Sequence, residues 1–214
     1  PLTKKIPKPL IKINNITLLD NSINFLNSLD CIEIIINTHY KHKEIEKFLN
    51  KRKNAKNIKL IYEKKILDTG GGLINALPFF ETDNLLIINS DIFWQKKNLL
   101  DAKVIINKYF IKKNPQLMLV NKDKAFGLNK DTGDFILKNN KILRYQSGDE
   151  IFFYTGLQML NRNNLKNFSV KKFSFNKIWD FLILNDNLYG KTMKSYWYHV
   201  GDIQGLKIAS RLDT

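Results

Sequence analysis

The sequence predicts an α/β fold: a doubly wound, mostly parallel sheet with helices on both faces. Three observations carry this. Short apolar runs alternate with stretches of helical periodicity through residue 120, the pattern of strands joined by crossover helices. Such crossovers are right-handed and leave parallel neighbours. The run 85–94, LLIINSDIFW, opens with four consecutive apolar residues, 85–88, as suits a strand buried on both faces. Finally, 214 residues at 43% hydrophobic and 12% aromatic composition suffice for one domain with a real core.

Taken in order, residues 1–10, PLTKKIPKPL, read as a loop, because Pro1, Pro7 and Pro9 remove donors and fix φ. Ile16, Leu19, Ile23 and Leu26 recur at helical spacing, giving a helix over 17–29. A buried strand follows at 32–36, then a helix at 42–50 and a strand at 58–62 that finishes at Glu63. Thr69-Gly70-Gly71-Gly72 forms the turn into a helix at 73–77, stopped by Pro78. The central strand spans 85–89, a helix 98–112 and the next strand 116–120.

Past Asp134 the alternation gives way to a small β-hairpin insertion, with 135–137 and 142–145 flanking Asn139-Asn140. The closing elements are a strand at 151–160 broken by Thr155-Gly156, a helix at 174–184 with Ser174 as its cap, a strand at 189–198 and a helix at 203–212. The sum is a Rossmann-like single domain.

Charge and cysteine content bound the function. The net charge of +15 fits a polyanionic partner or a lysine-rich compositional bias. The second reading is preferred: lysines are scattered, and arginine, the usual bidentate reader of nucleic acid, stands only at 52, 144, 162 and 211. No nucleic-acid partner is expected, although a positive surface still steers phosphorylated ligands. Cys31 alone excludes an internal disulfide framework. No run reaches the roughly 18 apolar residues of a membrane span, so a cytoplasmic location without membrane contact is expected.

Three stretches are candidates for chemistry. Asp91, just past the end of the central strand, lies where ligands bind in open α/β sheets. It either holds a hard cation such as Mg²⁺ or caps the following turn. Lys8, stiffened between two prolines, is either a phosphate ligand or an ordinary loop lysine. Gly70, Gly71 and Gly72 either mark a turn or let the backbone approach a base or phosphate, with helix N–H groups aimed at it. The sequence has no P-loop, no nucleophile elbow and no metal-type pairing of Cys with His.

The ordered set P-L-T-x-x-I-P-K-P-L at the start, N-T-H-Y at 37–40, L-D-T-G-G-G-L at 67–73 and L-L-I-I-N-S-D-I-F-W at 85–94 resembles the sugar-1-phosphate nucleotidyltransferases. A-F-G-L at 125–128, Y-T-G at 154–156, F-S-F-N-K-I-W-D at 173–180 and W-Y-H-V-G at 197–201 resemble the bacterial branch acting on muramate and mannose 1-phosphates. The resemblance covers essentially the whole chain.

It implies transfer of a nucleoside monophosphate from an NTP, UTP being favoured, to a sugar 1-phosphate, with Mg²⁺ as cofactor. The same resemblance implies roles for individual residues. Asp91 is the metal ligand and Lys8 the neutraliser of phosphate. Gly70, Gly71, Gly72 and Asn89 belong to the nucleotide, with Gly71 and Gly72 against the base. Thr155 and Gly156 lie beside the sugar. Residues 1–214 are then a single nucleotidyltransferase domain whose first strand and Gly-rich triphosphate loop precede Pro1. His199 stands where many relatives have a second carboxylate ligand, and Asp202 is the alternative for that position. The missing loop and His199 leave open a second reading, a binding or regulatory protein that kept the fold without turnover.

Overall fold

The computed structural model describes residues 6–52, 55, 57–128 and 130–212; residues 1–5 of the expected N-terminal loop lie outside these. The loop is followed by a small antiparallel hairpin, β1 (Lys12–Ile13) and β2 (Ile16–Thr17). Helix α1 (Leu18–Asn27) starts at Thr17, whose hydroxyl accepts the Asp20 N–H at 2.9 Å and satisfies one orphan donor of the first turn. Strand β3 (Ile34–Thr38), helix α2 (His42–Asn50) and strand β4 (Ile58–Tyr62) form a parallel unit, Ile34 opposite Ile58 and Thr38 opposite Tyr62.

The strand expected at 32–36 therefore starts later. Asp30 takes a left-handed φ of 57° and leaves Ile32 72% exposed, while pairing with β4 carries the strand on through polar Asn37 and Thr38.

Next come α3 (Asp68–Ala76), β5 (Asn84–Ile88), α4 (Asn98–Lys112), β6 (Gln116–Asn121) and the short β7 (Ala125–Phe126). The hairpin insertion is present as β8 (Phe135–Lys138) and β9 (Lys141–Arg144), turned by Asn139 and Asn140, both at positive φ. The chain closes with β10 (Phe152–Asn161), α5 (Asn176–Leu184), β11 (Tyr189–Thr192), β12 (Trp197–Tyr198) and α6 (Ile203–Ala209). Ser174 is not the N-cap of α5, which is Phe175, but its hydroxyl accepts the Asn176 N–H at 3.3 Å.

The central sheet has six strands in the order β5-β10-β6-β11-β9-β8. It is mixed, which corrects the expectation of a mostly parallel sheet. β10 runs antiparallel to both β5 and β6, β11 runs parallel to β6, and β9 is antiparallel to β11. The cause is the hairpin. Helix-for-strand alternation yields parallel neighbours only where a helix joins adjacent strands, as between β3 and β4. After β8 and β9 the chain re-enters between β5 and β6 in the opposite sense.

Helices do cover both faces. On β6, Leu117 and Leu119 join the core cluster that holds Leu73 and Ile74 of α3 with Ile178, Trp179 and Leu182 of α5. The alternate residues Met118 and Val120 join Ala102 and Ile105 of α4 and Phe25 of α1. This is the period-2 division of a strand buried on both sides.

The β3–β4 unit has no ladder to the central sheet among the described residues. Its start is tied to the start of β5, where the Glu81 N–H donates to Glu33 Oε1 at 2.9 Å and Lys59 Nζ bonds Glu81 Oε1 at 3.2 Å. Between β3 and β5 lies a cavity of about 690 Å³. Ile34 and Ile36 line it from one strand, Leu85 and Ile87 from the other, with Ile23 of α1 and Leu73 of α3 above and below.

The strand expected at 189–198 is split. Asp101 of α4 is buried and accepts the backbone N–H groups of Lys194 (2.9 Å) and Ser195 (3.1 Å) and the Ser195 hydroxyl (2.5 Å), folding 193–196 into a turn between β11 and β12. Removing that carboxylate leaves part-buried donors without their charged acceptor, at about 1–3 kcal/mol for each hydrogen bond. Asp101→Ala is expected to lower unfolding stability by about 2–4 kcal/mol, read as a fall in the urea midpoint at unchanged slope.

Candidate active site

Asp91 stands three residues past the end of β5. Its segment is gripped by the backbone of β12: the Val200 N–H donates to Asp91 O at 2.7 Å, the Phe93 N–H to Tyr198 O at 3.0 Å, and Ile92 bridges His199 in antiparallel fashion. This ladder brings His199, remote in sequence, beside Asp91. Lys8 arrives from a third direction. It opens a single 3-10 turn, Lys8–Leu10, between Pro7 and Pro9, closed by the Leu10 N–H to Pro7 O at 2.9 Å. The result is a cluster in which Lys8 Nζ lies 3.0 Å and His199 Nε2 3.5 Å from Asp91 Oδ2.

Burial alone would raise the Asp91 carboxyl. The His199 ring and the Lys8 ammonium outweigh it and hold the group well below the ordinary carboxylate range. Burial alone would lower the His199 imidazole, yet the Asp91 charge raises it above 6.5. At 3.5 Å the His199–Asp91 contact is an ion pair rather than a well-formed hydrogen bond.

The His199 ring is held on every side. Its Nδ1 lies 3.3 Å from Gly127 O, and a carbonyl only accepts, so Nδ1 carries the proton and Nε2 faces Asp91. Trp197 stacks on the ring at 5.7 Å. A Cβ on Gly201 would overlap the imidazole, and Gly127, at φ 76°, could carry no side chain without striking the His199 carbonyl. Asp202 is elsewhere engaged: its exposed carboxylate caps α6, accepting the Gly205 N–H at 2.8 Å. Among the described residues the charged partners of Asp91 are Lys8 and His199.

The cavity between β3 and β5 opens at its polar end onto Asn37, Thr38, Thr69, Asn89, Ser90 and Asp91. Asn89 is exposed there, as a ligand-facing residue must be. The Gly triplet differs from its expected turn: Gly70, Gly71 and Gly72 are buried inside α3, and the N–H groups of Gly70 and Gly71 both donate to Phe173 O. A Cβ at these positions would run into the Phe173 ring, the Lys171 carbonyl and the Glu63 carboxylate respectively. Close packing therefore accounts for glycine at all three.

Thr155 is fully buried, its hydroxyl donating to Met118 O at 2.9 Å. Gly156, at φ 81°, sits in the irregularity of β10 and accepts the Asn89 N–H at 2.8 Å. The pair thus positions Asn89 from below.

Glu63 has a part the sequence reading missed. It is buried, accepts Asn37 Nδ2 at 3.0 Å and the Leu67 N–H at 3.2 Å, and so ties the end of β3 to the start of α3. The signal was present: a carboxylate directly after an apolar strand and four residues before Leu67.

Because the His199 shift depends on Asp91, removing that charge should abolish it. In an NMR titration the His199 midpoint is expected above 6.5 in the wild type. It is expected at or below the unperturbed value of about 6.5 in Asp91→Asn; an unchanged midpoint would show that the pair does not interact.

N-acetylmuramate alpha-1-phosphate uridylyltransferase of Caulobacter vibrioides is 26% identical over 216 residues, covering 95% of this chain and 87% of that protein. D-glycero-alpha-D-manno-heptose 1-phosphate guanylyltransferase of Aneurinibacillus thermoaerophilus is 25% identical, covering 94% and 86%. The crystal structure of HddC from Yersinia pseudotuberculosis complexed with GMP-PN shares the fold at a TM-score of 0.78 and 22% identity, covering 96% and 89% of the two chains. A putative glucose-1-phosphate thymidylyltransferase from Bacillus anthracis shares it at 0.80 and 16% identity, covering 100% and 91%. Residues 1–214 match the family model described as nucleotidyl transferase, and the chain belongs to that family.

Proposed function

We propose that this chain transfers a nucleoside monophosphate, UMP in the first place, from an NTP to a sugar 1-phosphate, releasing an NDP-sugar and pyrophosphate. The observation that carries the reading is the Lys8–Asp91–His199 cluster at the polar end of the cavity, beyond the carboxyl end of β5. In the reaction an oxygen of the sugar phosphate forms a bond to the α-phosphorus. The bond from that phosphorus to the bridging oxygen breaks, and its electron pair leaves with pyrophosphate. Both reactants are anions, so catalysis is alignment and neutralisation of charge.

Lys8, whose ammonium lies 3.0 Å from Asp91, is suited to neutralise phosphate. Asp91 supplies the oxygen donor that a divalent cation such as Mg²⁺ takes, and a bound cation would polarise the phosphate oxygens. In this reading Asn89 contacts the nucleotide, and the base lies against the first turn of α3, which Gly70, Gly71 and Gly72 let pack closely on its neighbours. Thr155 and Gly156 support the sugar side through their backbone.

UTP is favoured because the uridylyltransferase relative aligns over nearly the whole chain, but a guanylyltransferase aligns over almost as much. The test is pyrophosphate release from the natural full-length protein with sugar 1-phosphates, each NTP and a divalent cation, UTP competed against GTP. Release with UTP is expected. Release with GTP alone would reassign the base, and no release with any pairing would leave a ligand-binding protein. Asp91→Asn keeps the shape and removes a charge, and is expected to lower the rate by on the order of 10²-fold or more.

We also propose that a strand preceding Pro1 in the natural protein fills the cavity and joins β3 to β5. The support is geometric: both strands lack a ladder partner on their cavity side among the described residues, and the lining is apolar above and below. A strand buried in this way reads as a continuous apolar run. A protein that carries such a strand ahead of Pro1 should therefore melt well above residues 1–214 alone; equal melting temperatures would refute the fit.

A further inference from the structure

We propose that Asn98 is a positioning residue: its side-chain amide stands in for a rung of the β-ladder between residues 91–95 and β12, and so fixes the register that sets His199 beside Asp91. This rests on the catalytic reading of the Lys8–Asp91–His199 cluster and adds a residue that acts on it through the backbone.

The ladder is short. The Val200 N–H donates to Asp91 O and the Phe93 N–H to Tyr198 O. Hydrogen-bonded pairs of an antiparallel ladder recur at every second residue, so the next rung would run from the Gln95 N–H to Tyr196 O. Asn98 spans the strands there instead. Its Oδ1 accepts the Gln95 N–H at 2.7 Å, and its Nδ2 donates to Tyr196 O at 3.0 Å. A carboxamide offers a carbonyl acceptor and N–H donors on one planar group, so a single side chain satisfies both backbone groups of the absent rung. The other Nδ2 proton goes to Ser195 Oγ at 2.7 Å, and Asn98 is 1% exposed.

Register matters here because β12 is only two residues long and pairs with the equally short β7, Trp197 opposite Ala125 and Tyr198 opposite Phe126. Among the described residues these two strands form a sheet of their own, without a ladder to the central sheet. A slip of one residue along a ladder turns every side chain to the other face. His199 would then leave Asp91, and Tyr198 or Val200 would stand opposite Ile92 in its place. The far edge of the same segment is held by a second asparagine. Asn21 of α1 accepts the Trp94 N–H at 2.7 Å and donates to Trp94 O at 2.9 Å, and Phe25 stacks on the Trp94 ring. With that edge fixed to α1, the Asn98 amide supplies the third rung at the end where β12 begins.

A purely local role for Asn98 is separable from this one. Asn98 also closes the turn into α4, its N–H donating to Gln95 O at 2.9 Å. Asn98→Asp distinguishes the two. A carboxylate still accepts the Gln95 N–H and keeps the turn, but it has no proton for Tyr196 O.

The experiment is amide hydrogen exchange on the natural full-length protein, with turnover in a second arm. In the wild type the Gln95 N–H is expected to exchange as slowly as its neighbouring rungs, the Phe93 and Val200 N–H groups. Exchange of Gln95 at the rate of an open loop overturns the proposal whatever the variants do. In Asn98→Asp the Phe93 and Val200 amides are expected to exchange about tenfold faster or more, while the amides of β6 keep the wild-type rate. In the same variant kcat for pyrophosphate release is expected to fall on the order of tenfold or more, with KM for the NTP little changed. Ser195→Ala removes the other Nδ2 partner and leaves the rung. It is expected to lower the urea midpoint while keeping both the local protection and kcat. Wild-type exchange at Phe93 and Val200 in Asn98→Asp, a uniform rise that includes β6, unchanged kcat despite local loss of protection, or an equal response to Ser195→Ala each overturns the proposal. A wild type that releases no pyrophosphate with any pairing overturns the catalytic reading by itself, and the exchange pattern then decides the register alone.

Discussion

A half-buried carboxylate without compensation is costly, and the end of β5 is organised around removing that cost at Asp91. Two positive groups reach it from opposite ends of the chain, Lys8 through the proline-bounded turn and His199 through the β12 ladder. The linkage has opposite signs for the two titrating partners. Asp91, depressed when folded, contributes stability that is present above its unfolded value and is lost as pH falls into the acid range. His199, raised when folded, contributes stability that is present below 6.5 and is lost as pH rises through its folded value. The cluster is therefore most strongly held between the ordinary titrations of a carboxylate and an imidazole, about pH 4 to 6.5. Each partner is exposed enough for water to screen the attraction, so its weight lies in geometry more than in net stability.

The reversed strand β10 supplies the other half of that geometry. Running antiparallel between β5 and β6, it carries its β5 register on past Leu157 and Ile88 to Gly156 and Asn89, while its pairing with β6 shifts between Tyr154 and Gln158. Gly156 in left-handed conformation makes the shift possible and receives the Asn89 N–H. Thr155, turned inward, anchors the same bulge to β6 through Met118 O, and the Trp197 indole N–H donates to the Thr155 carbonyl at 2.9 Å. One irregular stretch thus connects the sheet, the exposed Asn89 and the strand that carries His199.

Much of this was legible in the sequence, for identifiable reasons. Elements with strong periodicity, such as α1 and α2, or with a consecutive apolar run, such as β5, are announced by local pattern. So was the turn at Asn139-Asn140, where side-chain chemistry tolerates positive φ. The position of Asp91 followed from one strand end. What could not be read is relational. Parallel or antiparallel pairing of β10 depends on where a hairpin returns the chain. The split at 193–196 depends on Asp101, which lies far away in sequence. The Gly triplet looks like a ligand turn because glycine serves close approach of any kind, and here the close neighbours are Phe173, Lys171 and Glu63. Asp202 looked available because sequence does not show that its carboxylate caps a helix.

The cavity and the charged cluster share more than a location. Pro9 lines the cavity and its neighbour Lys8 contacts Asp91, so the same short turn closes one and completes the other. β3 lines the polar end of the same cavity with Thr38 and Asn37, while its starting end is tied by Glu33 to Glu81. A segment lying between β3 and β5 would press on the turn at the end where Lys8 and Asp91 meet. On that proposal, packing in the apolar part of the cavity would set how firmly the ammonium is held at the carboxylate, because close-packed interiors transmit displacement instead of absorbing it. In this arrangement completing the sheet and ordering the site are one physical event.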